Sequence, residues 1–327
     1  MQTQTEIQFA EALRAIESPS LEAEERAQML MEIAMGLQVK PQYPDQLRDA
    51  ATLYRRALAE LPASAVLLEA RIRARMGTAL RAIPDGGAAA LRQACECYRR
   101  ALPTLYAQGR PEEAAETELN HGLAIQDAAR LGTARLQDAI DCYHRALLTF
   151  KRESHPQEFA VLHNNLATAY LSLPSTDERS KMREALVTQS FEEVLKVINL
   201  IDQPAEYAMI QNNLGNALQY VSGSRTPENN LRALHAYDEA LKVRNPRDTP
   251  EEYADTIANK ANVLRNLPAD AVNGNGVPSH AEAIQLYLEA IALFEQSGLH
   301  DRAELLAASI ADIEQETDRP SKYKTAH

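Results

Sequence analysis

The stretch QPAEYAMIQNNLGNAL, residues 203–218, decides how the chain is read. A proline opens it, and asparagines crowd around the pair Leu214-Gly215 in what otherwise has the pattern of a helix. Asparagine is a poor residue in a helix interior because its amide competes with the backbone. Its recurrence there therefore needs a reason. A near copy, HPQEFAVLHNNLATAY, lies at 155–170. Shorter echoes of the small-residue centre are MGTAL at 76–80, HGLAI at 121–125 and KANVL at 260–264, with weaker ones at 33–37 and 309–313. A second motif alternates with the first. It reads FAEAL from Phe9, YRRAL from Tyr54 and Tyr98, YHRAL from Tyr143, FEEVL from Phe191, YDEAL from Tyr237 and YLEAI from Tyr287. The aromatics are 45, 44, 45, 48, 46 and 50 residues apart, so seven copies account for the chain. A fixed period of this size is the mark of a repeat architecture.

Each motif sits in a helical pattern. Ala50, Leu53, Tyr54, Ala57, Leu58 and Leu61 follow i, i+3, i+4, i+7 spacing. Pro84, Pro174 and Pro268 end the small-residue helices, and Pro111, Pro156, Pro204 and Pro250 stand where the next ones begin. At the first helical position the missing N–H costs little. Gly77, Gly122, Ala167, Gly215 and Ala261 align, as do Ala12, Ala57, Ala101, Ala146 and Ala240. Side chains this small let two helix backbones approach closely, with the aromatics and leucines filling the space around the contact. One hairpin cannot bury its apolar stripe alone, so stacking is required. No strand is expected.

The pattern L-G-x-A-[LY] followed by aromatic-x-x-A-[LI] resembles the tetratricopeptide repeat (TPR) family, here at a period about ten residues longer than usual. Longer units of this kind are similar to kinesin light chains and to bacterial arrays rich in NNLG segments. Lys260 and His121 depart from the leucine usual at their position. The resemblance implies an all-α, right-handed superhelical α-solenoid of about seven hairpins and about fourteen helices. It would run over 5–316 with a polar capping helix at 300–316, a disordered start at 1–4 and a flexible tail at 317–327. It also implies that the aromatic helices lie outside and the small-residue helices line a concave groove. The loop at 269–279 is the longest linker, either a mobile flap or a tolerated insertion.

Composition narrows the function. A net charge of −12 disfavours nucleic acid and anionic membranes as partners. The start, MQTQTEIQFA, lacks the basic and apolar regions of a signal peptide, and no apolar run approaches a bilayer span. Three cysteines suit a reducing cytoplasm better than a disulfide framework. There is no phosphate-binding glycine loop, no HExxH and no G-x-S-x-G. Cys95 and Cys97 point to different sides of a helix, and no Cys or carboxylate at motif spacing supports His121 or His163. No metal, no cofactor and no catalysis are expected.

The candidate site is the row of asparagines. Asn120, Asn165, Asn213 and Asn259 occupy one equivalent position in four successive repeats, flanked by Asn164, Asn212, Asn216 and Asn262. A primary amide offers a donor and an acceptor side by side and can pair with the backbone of an extended peptide. Helices about 8–10 Å apart would spread four such amides over about 25–30 Å. The alternative is that they bond neighbouring helices and set the superhelical pitch. Arg71 and Arg75, one turn apart, would bind an acidic group or pair with the protein's own acids, such as Glu32 or Glu116. Met31 and Met35 form an apolar groove patch or ordinary core. The leading reading is a non-catalytic cytoplasmic adaptor or assembly scaffold that binds a protein or peptide in the groove. The alternatives are a ligand-responsive regulator whose pitch changes on binding, and an accessory subunit or maturation chaperone of a partner enzyme.

Overall fold

The computed structural model describes residues 21–39, 41, 43, 45–173, 180–220, 227–267 and 279–318. The first aromatic motif at 9–13, the start at 1–4, the loop at 269–278 and residues 319–327 lie outside the described residues. Thirteen helices make up the regular structure there, and no strand occurs among the described residues. In chain order they are α1 (Ala23–Val39), α2 (Asp45–Glu60), α3 (Val66–Ala82), α4 (Gly87–Gln108), α5 (Pro111–Arg130), α6 (Leu136–Ala146) and α7 (Pro156–Leu171). They continue as α8 (Ser180–Leu195), α9 (Pro204–Tyr220), α10 (Pro227–Leu241), α11 (Pro250–Asn266), α12 (Ser279–Gln296) and α13 (His300–Asp318). Pro111, Pro156, Pro204 and Pro250 are each the first residue of a helix, as their spacing predicts. The last helix, α13, covers residues 300–316.

The chain divides into two compact units, Met1–Asn165 and Leu166–His327. Within each, a small-residue helix packs most extensively on the aromatic helix that follows it: α1 on α2, α3 on α4 and α5 on α6 in the first unit, α9 on α10 and α11 on α12 in the second. These are the hairpins of an all-α repeat array. Small-residue helices of successive hairpins also touch each other, α1 with α3, α3 with α5 and α9 with α11. Their exposed side is called the inner face below.

One contact explains the repeated small residue. Tyr54, Tyr98, Tyr143, Tyr237 and Tyr287 are fully buried. A methyl group added at Gly77 would stand 2.8 Å from the Tyr98 ring, at Gly122 2.5 Å from Tyr143, and at Gly215 2.6 Å from Tyr237. The glycine thus provides room for a ring to lie against helix backbone. A buried phenol also needs a partner for its hydroxyl. Each one donates to the small-residue helix it covers: Tyr54 to Gln38 Oε1 at 2.9 Å, Tyr98 to Thr78 Oγ1 at 3.1 Å and Tyr143 to Gln126 Oε1 at 2.7 Å. In the second unit Tyr237 donates to Asn216 Oδ1 at 2.7 Å and Tyr287 to Asn262 Oδ1 at 2.6 Å. At the fifth copy the aromatic is Phe191, also fully buried, which has no hydroxyl to satisfy.

Candidate functional site

In the first unit, α3 and α5 enclose a hollow on the inner face, about 390 Å³ of space open to solvent. It brings together three of the residues singled out from sequence: Arg71 and Arg75 from α3 and Asn120 from α5. Arg75 holds in α3 the position that Asn120 holds in α5, since both stand two residues before the aligned glycine. The arginines face acids of the protein itself. Arg71 grips Glu113 with two hydrogen bonds, Nε to Oε1 at 3.0 Å and Nη2 to Oε2 at 3.2 Å. Arg75 Nη1 stands 3.7 Å from Glu116 Oε1, a looser pair. Further along the same junction Arg81 Nη1 donates to Asp127 Oδ2 at 3.2 Å. Glu113 also accepts the Arg110 N–H at 3.0 Å, closing the first turn of α5. Burial works to raise the Glu113 carboxyl, but the Arg110 N–H and the Arg71 guanidinium outweigh it and hold the group below its usual range.

The asparagines sort into two groups. Asn216 and Asn262 accept from tyrosine hydroxyls and so belong to hairpin packing. Asn259 and Asn212 meet each other across the α9/α11 junction at 3.5 Å, and Gln219 Nε2 donates to the Asn259 carbonyl at 3.3 Å. Asn164 has an interaction partner within the fold. Asn120, Asn165 and Asn213 differ from these. They are partly exposed, and no hydrogen bond joins their side chains to another helix among the described residues. The Asn120 amide donates only to the Glu116 carbonyl of its own helix, at 2.9 Å. Met31 and Met35 pack, partly buried, against the core around Leu30, Ala34 and Tyr54.

A different cluster escaped the sequence. Glu118 and His121 lie one turn apart on α5, and Cys142 of α6 joins them. Arg145 lies over this group with its guanidinium on the Glu118 carboxylate. Burial, opposed by Glu118, keeps the His121 imidazole easier to deprotonate than usual. Burial, with Glu118 adding to it, raises the Cys142 thiol. Motif spacing missed the cluster because its third member comes from another helix. The visible signal was local: Glu118 and His121 share a face at i, i+3.

No family model matches this chain, and no curated protein matches it by sequence. Among solved structures it is similar to BtubC (BKLC) from P. vanneervenii, with a TM-score of 0.50 and 21% identity over 76% of this chain and 97% of that one. It also aligns with the TPR2AB domain of yeast Sti1 in complex with pHSP90, at TM-score 0.31 and 13% identity over 88% and 98% of the two chains. A circular tandem repeat protein aligns at TM-score 0.30 and 15% identity over 96% and 74%. The BtubC likeness concerns the fold alone. With the hairpins described above, it identifies the chain as an all-α helical repeat array.

Proposed function

We propose that the protein is a non-catalytic interaction scaffold whose small-residue helices bind extended segments of a partner protein. One observation carries this reading. At the repeated position, Asn120, Asn165 and Asn213 are the asparagines not spent on joining helices among the described residues. An amide that is partly exposed and left over from packing suits backbone recognition, because it supplies a donor and an acceptor without reading a side chain. Asn259, bonded to Asn212, serves the α9/α11 junction in this reading.

The arginines divide in the same way. Arg71, held by two bonds to Glu113, is structural. Arg75, only loosely paired to Glu116, exchanges that partner for a carboxylate on the incoming segment. Met31 and Met35, partly buried against the core, are given no part in binding in this reading.

The test is affinity purification of the full chain with mass spectrometry of what it retains. Each Asn→Ala change at 120, 165 or 213 removes about 1 kcal/mol, roughly fivefold in affinity, so the triple variant loses its partners. Asn266→Ala is the control, because Asn266 is an exposed amide that lies outside the repeated position. Equal recovery by the triple variant and the wild type would overturn the proposal.

A further inference from the structure

The α5/α6 hairpin gathers a carboxylate, an imidazole and a thiol, of which only the thiol recurs at the equivalent place in the preceding repeat. The equivalents of Glu118, His121 and Cys142 are Arg73, Met76 and Cys97 in the preceding repeat, and Gln211, Leu214 and Ala236 in the fifth. His121 thus stands where those repeats hold an apolar side chain. Glu118 is 2% exposed and Cys142 1% exposed. Gathering a carboxylate, an imidazole and a thiol in one buried spot costs stability unless something matches them.

We propose that Glu118, His121 and Cys142 form a three-ligand site for a soft divalent cation of the zinc type, which takes the place of the Arg145 guanidinium. The geometry is close to what such an ion needs. One donor atom from each residue lies within 4.8 Å of the others. Cys142 Sγ and His121 Nδ1 are 3.7 Å apart. Tetrahedral zinc, with bonds of about 2.3 Å to sulfur and about 2.0 Å to nitrogen, holds the two atoms about 3.5 Å apart. Thiolate and imidazole favour zinc over magnesium or calcium. Three protein ligands leave a fourth position for water or for a donor brought by a partner.

The surroundings fit a supported site. Tyr106 donates its hydroxyl to Glu118 Oε1 at 2.9 Å. The Tyr98 ring lies beside the His121 ring, centroids 5.7 Å apart. Such contacts orient ligands. Arg145 marks where positive charge is wanted: Nε is 2.7 Å from Glu118 Oε1, and Nη2 is 2.9 Å from Oε2 and 3.1 Å from Cys142 Sγ. Its side chain is 44% exposed, so it can swing into solvent and open the way in. The Cys142 S–H bond breaks, its proton goes to solvent, and a sulfur–metal bond forms without any change of oxidation state. One carboxylate and one thiolate then balance the divalent ion.

Cobalt(II) added to the full-length, reduced protein tests this, as a spectroscopic stand-in for zinc. One equivalent should produce a thiolate-to-cobalt charge-transfer band that zinc abolishes. Cys142→Ser, checked for helicity by circular dichroism, should lose the band. His121→Gln should keep the fold and weaken cobalt binding about tenfold or more. Arg145→Gln should tighten it severalfold, since the competing cation is gone. No band with the wild type overturns the site, as does a band that survives Cys142→Ser, which would move the metal to Cys95 or Cys97. Unchanged affinity in Arg145→Gln overturns the displacement.

Discussion

Two junctions between inner-face helices solve one packing problem with different chemistry. At α3/α5 in the first unit, the polar space is filled by Arg71–Glu113, Arg75–Glu116 and Arg81–Asp127. At α9/α11 in the second unit, amides fill it, with Asn259 on Asn212 and Gln219 on the Asn259 carbonyl. The repeat fixes where the side chains stand. It leaves open whether charge or amide fills the place. An ion pair is screened by salt and lost when its acid is protonated, whereas an amide pair responds to neither. The two junctions therefore share a geometry and differ in their dependence on conditions.

The largest effects should come from what the units have in common. Tyr143→Ala and Tyr237→Ala each remove a fully buried ring lying on a glycine. Each should cost about 3–5 kcal/mol, alike in both units and at any salt concentration, by urea denaturation. A much smaller loss in one unit would break the equivalence of the hairpins. Tyr143→Phe is gentler. It leaves the buried Gln126 carbonyl without its donor and should cost about 1 kcal/mol in the same measurement.

The junctions themselves should separate next. A double-mutant cycle on Arg71→Ala and Glu113→Ala should give a coupling of at most about 1 kcal/mol, because Arg71 is 40% exposed. That coupling should shrink in about 1 M salt. It should also be lost in acid. Glu113 is depressed in the folded state, so its contribution is complete above the ordinary carboxylate pKa and disappears as pH falls through the folded value. The matching cycle on Asn212→Ala and Asn259→Ala should give a few tenths of a kcal/mol, unaffected by salt or by pH in that range. Equal salt sensitivity would erase the distinction. The smallest effect belongs to Asn213→Ala. Its amide joins no other helix among the described residues, so stability should stay within about 0.5 kcal/mol while partner retention falls.

The asparagines show how far a linear reading reaches. Their recurrence at one repeat position was visible in the sequence, and so was the choice between binding and packing. Which residue does which was not visible. Asn216 and Asn213 look alike in NNLGN, yet one accepts from Tyr237 and the other joins no helix among the described residues. The tyrosine lies about 20 residues away in sequence, on the next helix. Glu116 was foreseeable as a partner for Arg75, while the tighter Arg71–Glu113 pair followed from the rotation of α5 against α3.

By itself the sequence determined what depends on neighbours within a few turns: helices, from apolar spacing and first-turn prolines; hairpins, from the alternation of two motifs; and a stacked array, from their period. These are legible because helix geometry repeats every few residues whatever else the chain does. Only the tertiary structure decided which polar groups meet across helices. That set Arg145 on Glu118, brought Cys142 beside His121, and left Asn213 without a hydrogen bond to another helix among the described residues. The reason is physical. A contact between helices depends on their relative rotation and offset, which the packing of rings on glycines fixes and no local pattern records.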